Sequence, residues 1–181
     1  MPFTFTSLDI KGLVLVEPRV FPDERGFFLE SYKESEFARE GISCRFVQDN
    51  HSLSKRNVIR GLHFQKAPRA QGKLVRVIRG SVWDVAVDLR KDSPAYRKWI
   101  SVELSDENNK MFFIPAGFAH GFLALTDDVH LQYKCTEEYD PALDTGIRWD
   151  DPDIGVSWPV KDPIVSAKDR ELPYLKDVAD L

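Results

Sequence analysis

The chain has 181 residues, 43% of them hydrophobic, which supplies the core of one domain and leaves no case for general disorder. Its 25 basic and 29 acidic residues give a formal charge of −4, which taken alone argues against a nucleic-acid partner. The total hides an asymmetry: residues 51–83 hold eight basic residues and no Asp or Glu, so the other 17 basic and 29 acidic residues leave −12 elsewhere.

No apolar run approaches the roughly 18 residues of a membrane span. The opening Met1-Pro2-Phe3-Thr4-Phe5-Thr6 lacks the basic and then apolar order of a signal peptide, so the expected compartment is the cytoplasm. Cys44 and Cys135 have no metal or redox spacing and are expected as buried, reduced thiols.

In chain order, the first expected strands are a loosely alternating stretch from Phe3 to Leu8 and the run Leu13-Val14-Leu15-Val16. The turn Pro22-Asp23-Glu24-Arg25-Gly26 then leads into a strand over 27–32. Residues 33–40 are the best helix candidate, stopped by Gly41. Further strands are expected at 45–48, 58–64, 73–78, 81–89, 99–104, 110–114, 121–125 and 129–136, from their β-branched and aromatic content between Gly, Pro and Asn. Arg79-Gly80 reads as a tight hairpin between two of them. Beyond 159, Pro159, Pro163 and Pro173 break the chain into short turns or helices lying on a β body. Around ten short strands in one domain make an all-β antiparallel sandwich or barrel. No dinucleotide or P-loop glycine motif and no nucleophile elbow is present.

Strand alternation sorts the candidate chemistry. Trp83, Val85, Val87 and Leu89 share one face, and Asp84 and Asp88 the other. Lys73 falls in line with Val75 and Val77, and Tyr133 with Leu131, so each is either at a strand end or inside a cavity. Of the four histidines, His63 in Arg60-Gly61-Leu62-His63-Phe64-Gln65 and His120 in Gly117-Phe118-Ala119-His120-Gly121 are placed to act as base, ligand or core residue. Positions two away from His63 are Gly61 and Gln65, so the His-x-His pair of a barrel metal site is missing.

Six motifs, in order, carry a resemblance across essentially the whole chain. They are Asp23-Glu24-Arg25-Gly26-x-Phe28-x-Glu30, Gln48-Asp49-Asn50-His51-Ser52, Arg60-Gly61-Leu62-His63, Gln71-Gly72-Lys73-Leu74-Val75, Ile114-Pro115-x-Gly117-x-x-His120-Gly121 and Ser166-x-Lys168-Asp169. With them the sequence resembles the dTDP-4-dehydrorhamnose 3,5-epimerases. The resemblance implies a cupin-type double-stranded β-helix, or jelly-roll, barrel with short peripheral helices, spanning 1–181 as one domain. It implies a homodimer with exchanged N-terminal strands, and a segment 159–181 packed on the barrel. It implies no cofactor, no metal, no nucleic-acid partner and no membrane.

The implied reaction inverts C3 and C5 of a dTDP-4-keto-6-deoxyhexose, whose C4 ketone acidifies both positions, on the route to L-rhamnose for surface polysaccharide. Such chemistry needs a base, an enolate stabiliser and an acid on the opposite face. The resemblance assigns these to His63 oriented by Asp169, to Lys73 and to Tyr133, with Asp84 placed near His63 or the sugar. It assigns Arg25 and Arg60 to the diphosphate or adjoining sugar, Glu30, Gln48 and Asn50 to the region around the thymidine, and Asp49 to the substrate without a stated contact. His120, Asp144 and Lys168 take further binding positions. One departure stands in Tyr139-Asp140-Pro141-x-x-Asp144-x-Gly146-Ile147-x-Trp149, where Asp144 occupies a position usually held by Glu. Rival readings are a relative that inverts one centre, a non-catalytic sugar-nucleotide-binding cupin and a metal-dependent cupin enzyme. The basic stretch is expected to line one pocket inside an acidic shell.

Overall fold

Two strand faces with different tasks explain the architecture. In a computed structural model describing residues 2–178, β7 (Lys73–Arg79) turns Val75 and Val77 inward, and β8 (Ser81–Asp88) turns Val82 and Ala86 inward. They meet Phe112, Ile114, Phe118, Phe122 and Leu131 in one core between two sheets. The first sheet runs in the order β1 (Phe3–Ser7), β2 (Val14–Pro18), β10 (Met111–Ile114), β7, β12 (Val129–Cys135), β5 (Gln48–Ser54). The second runs β13 (Asp144–Gly146), β6 (Val58–Gln65), β11 (Phe118–Ala124), β8, β9 (Trp99–Ser105), with β14 (Ile164–Val165) parallel to β6. This is the cupin-type jelly-roll barrel.

The outer faces are covered separately. Helix α1 (Glu34–Arg39), within the expected 33–40, packs Phe37 with Phe3, Val16, Leu74 and Met111 against the first sheet. The second sheet's Leu62, Phe64, Val85 and Val87 are covered by Ile147, Ile154 and Leu175. That chain segment also carries the four-residue helix α2 (Ala167–Arg170) and a 3₁₀ turn, Leu175–Asp177. Val165 and Leu175 of this segment pack on the second sheet, and residues 179–181 and Met1 lie outside the described residues.

Three expectations are corrected. Arg79-Gly80 makes no hairpin: β7 and β8 belong to different sheets, because their apolar residues face each other across the core instead of pairing side by side. The strand expected at 45–48 begins where that range ends, at Gln48, and runs to Ser54 through Asp49, Asn50 and His51. Its polar residues have low strand propensity, but as an edge strand it pairs only with β12. The Pro22–Gly26 turn belongs to a two-stranded hairpin, β3 (Val20–Asp23) and β4 (Gly26–Leu29), which pairs with neither sheet. Among the described residues, no helix is long and apolar enough to cross a membrane.

Candidate active site

The inner faces of β6, β7, β11 and β12 bring the expected residues together at one end of the barrel. His63 on β6 and His120 on β11 are directly opposed cross-strand partners and so share the inner face. The strand reaches this register through Gly61, whose φ of +135° and lack of a side chain are both required, since a Cβ would stand 2.5 Å from Gly121 Cα.

Each histidine has its own carboxylate. His63 Nε2 lies 2.8 Å from Asp169 Oδ1, and the other oxygen, Asp169 Oδ2, accepts from the Gly61 N–H at 3.3 Å. Asp169 is held in turn by α2, where its backbone N–H donates to Ser166 Oγ at 3.0 Å and caps the helix. Burial alone would raise the Asp169 carboxyl, but the bonds from His63 and Gly61 outweigh it and hold the group below the usual carboxylate range. His120 Nε2 straddles both oxygens of Asp84, at 2.9 and 3.0 Å. Burial pushes the Asp84 carboxyl up, against the pull of His120 and Lys73. Asp84 therefore serves His120, not His63. The His63 side chain keeps 32% of its exposure and that of His120 only 7%, so the two pairs differ in access to a ligand.

Lys73 and Tyr133 line the opposite wall. Tyr133 faces Val75 and Asn50 on the neighbouring strands, Lys73 faces Cys135, and the Lys73 Nζ lies 5.8 Å from the centre of the Tyr133 ring. Burial depresses the Lys73 ammonium, while Cys135, Asp144 and Asp84 favour it. Burial and the neighbouring Cys135 likewise raise the Tyr133 phenol, opposed by Asn50 and the charge of Arg60. Arg60 is pinned at the rim by Ser54 Oγ and Leu53 O, each 3.0 Å away. A cleft of about 350 Å³ opens there, lined by Arg60, His63, Val165, Lys168 and Asp169. Lys168 Nζ donates to Asp144 Oδ2 at 2.8 Å, so these two expected binding residues meet each other at its edge.

Other expected residues do not converge. Arg25 sits at the tip of the β3–β4 hairpin, ion-paired to Asp23 and fully exposed, with Glu30 just beyond it. Asp49 falls on the outer face of β5, one residue out of phase with Asn50, and bonds Lys134 Nζ at 2.9 Å. Cys135 is buried, as expected, but Cys44 is only half-buried. The sequence reading overlooked that Cys135 lies inside the site; its position two residues beyond Tyr133 is the signal that could have placed it there. Among the described residues, no group of three or more His, Cys, Asp or Glu gathers as a metal-binding set.

A cupin barrel with a partly exposed histidine–carboxylate pair at its mouth, facing a buried ammonium and a phenol, is a device for general acid–base chemistry. The chain matches the dTDP-4-dehydrorhamnose 3,5-epimerase family model over residues 7–177, and it belongs to that family. It is 56% identical over 178 residues to the dTDP-4-dehydrorhamnose 3,5-epimerase of Methanothermobacter thermautotrophicus, covering 97% of this chain and 96% of that one. The dTDP-4-dehydrorhamnose 3,5-epimerase of Bacillus anthracis, solved with TDP and PPi bound, superposes with a TM-score of 0.93 at 45% identity, covering 96% of this chain and 99% of that one. The Legionella pneumophila dTDP-6-deoxy-D-glucose-3,5-epimerase, solved in complex with dTDP-4-keto-L-rhamnose, gives a TM-score of 0.94 at 42% identity, covering 98% and 95%.

Proposed function

We propose that this epimerase inverts both C3 and C5 of dTDP-4-dehydro-6-deoxy-D-glucose, giving dTDP-4-dehydro-L-rhamnose without a cofactor. The observation that carries the reading is the 2.8 Å contact of His63 Nε2 with Asp169 at the barrel mouth. Asp169 fixes the tautomer and stabilises the imidazolium, leaving His63 Nδ1 to remove the carbon-bound proton next to the ketone. The electron pair moves onto O4, where the Lys73 ammonium meets the developing charge. Tyr133 then returns a proton to the same carbon from the other face, and the O4 charge collapses to the ketone. His63 then gives its proton to solvent and Tyr133 takes one back from it, which resets both groups before the cycle repeats at the second centre.

The diphosphate suits Arg60 and Lys168 at the cleft and Arg25 from outside it, since guanidinium forks and fixed ammonium charge match phosphate oxygens, with His120 deeper in the barrel towards the sugar. Arg25 stands on a hairpin that exposes Phe27 by 60% and Phe28 by 66%, surface fitted to burial against a second copy of the chain. A homodimer in which this hairpin, with Glu30, completes the partner's site accounts for both features. In that reading residues 1–181 form one domain. Two free thiols and a nucleotide-sugar substrate suit the reducing cytoplasm.

Incubation with the 4-keto substrate in deuterated water tests the chemistry. Deuterium enters C3 and C5 with the native protein, and exchange at neither position refutes the reading. His63→Ala abolishes exchange. Tyr133→Phe retains exchange but loses inversion, and normal inversion by that variant removes Tyr133 as the acid.

A further inference from the structure

Strand β6 ends on Gln65, whose carboxamide is only 4% exposed yet carries two donor protons and an accepting oxygen. A buried amide needs partners for all of them, and this one has them. Gln65 Nε2 donates to Arg69 O at 2.6 Å and to Glu138 O at 3.1 Å, while Oε1 accepts from the Asp140 N–H at 2.8 Å. The partners come from two loops. One, 66–72, leads into Lys73 on β7; the other, 136–143, leads from β12 to Asp144 on β13. Glu138 and Asp140 are the two chain neighbours of Tyr139, so Gln65 grips the backbone on both sides of that residue. A third bond holds Tyr139 itself, whose N–H donates to Gln48 Oε1 at 2.8 Å. Its ring stays 53% exposed, and its hydroxyl lies 3.5 Å from Asp144 Oδ2.

We infer that Gln65 is a positioning residue for the nucleotide end of the substrate, locking the loop that sets Tyr139 and Asp144 at the edge of the cleft. Being buried, it acts through that loop and not by contact. A loop ordered before the ligand arrives spares the cost of ordering it on binding. Other ties between the two loops do not replace this one. Arg69 reaches across at 3.6–3.7 Å to Glu137, Glu138 and Asp140, but exposed ion pairs hold little. Gln71 Nε2 secures the near end, at Glu137 O, 2.8 Å away. The far end, 138–140, rests on Gln65. The inference depends on the cleft being a nucleotide-sugar site.

Affinity for dTDP and the epimerase rate of the full chain test it. Gln65→Glu keeps the shape and still accepts from the Asp140 N–H, but sets a carboxylate oxygen against the Arg69 and Glu138 carbonyls. At pH about 8, dTDP is expected to bind about tenfold more weakly. The kcat is expected to stay within about twofold of native, because His63, Lys73 and Tyr133 stand on strands. Once the new carboxyl takes a proton it can donate to one of those carbonyls, and a buried carboxyl does so above its ordinary range. The ratio of variant to native Kd should therefore fall towards one as pH drops to about 6. Gln65→Met removes all three bonds and should keep a loss of about tenfold at every pH. A glutamine with a merely structural role would lower the thermal midpoint without that recovery. An unchanged Kd in either variant overturns the inference. So does a Gln65→Glu ratio that does not move with pH, or a kcat that falls as far as the affinity. A native protein that binds no dTDP refutes the nucleotide reading instead, which separates the two failures.

Discussion

Burial holds the Lys73 ammonium below the ordinary lysine range, with Cys135, Asp144 and Asp84 pulling the other way. A cation disfavoured in the fold costs stability wherever it is protonated, and that cost fades as pH rises towards the ordinary value of 10.5. Lys73→Met is therefore expected to raise stability at neutral pH by about 1–2 kcal/mol and to lower turnover by about 10²-fold or more. Thermal unfolding and epimerase rate measured on one sample check this, and a lower midpoint contradicts the burial argument. At this scale the sequence was legible where alternation applies: Lys73 with Val75 and Tyr133 with Leu131 pointed inward as the period of two requires. Alternation says which face a residue takes, not which neighbour it meets across the sheet. Hence Asp84 was expected near His63 and is found on His120.

The short helix α2 does more than its four residues suggest. Its cap, Ser166 Oγ accepting from the Asp169 N–H, fixes the carboxylate that orients His63. Ser166→Ala should cost about 1 kcal/mol of stability but about tenfold in turnover, because a loosened Asp169 no longer holds the imidazole. Comparing kcat with the thermal midpoint of this variant separates the two effects. A short turn or helix was expected somewhere beyond 159, and α2 is one, whereas β5 had no local signal. A run such as Gln-Asp-Asn-His-Ser has neither the apolar alternation nor the β-branched content that marks a strand. Its position is set by pairing with β12, seven residues deep, which is a tertiary effect invisible to local pattern.

Across the whole molecule, the basic stretch does not line one pocket. Of its eight charges, Arg60 and Lys73 face the site, while Arg56 lies 3.7 Å from Asp127 and Arg69 is 3.6–3.7 Å from Glu137, Glu138 and Asp140. Acidic residues from distant parts of the chain pair with two of these charges, which a linear charge count cannot anticipate. The exposed β3–β4 hairpin gives the dimer a direct test by complementation. Mixing inactive His63→Ala with a weakened Arg25→Ala protein, with subunit exchange, should restore about a quarter of native activity, since half the dimers then hold one complete site. No recovery in exchanged dimers rules out a site shared between subunits. The pairing of His63 with Asp169, 106 residues apart, has a consequence for how activity arises. The imidazole sits on a strand of the barrel, whereas its orienting carboxylate belongs to α2, on the strap that also brings Lys168 to the cleft wall. A chain cut between the barrel and α2 would thus lose the orienting carboxylate and part of the receptor together. Catalysis is in this sense a certificate that the downstream segment is intact and seated.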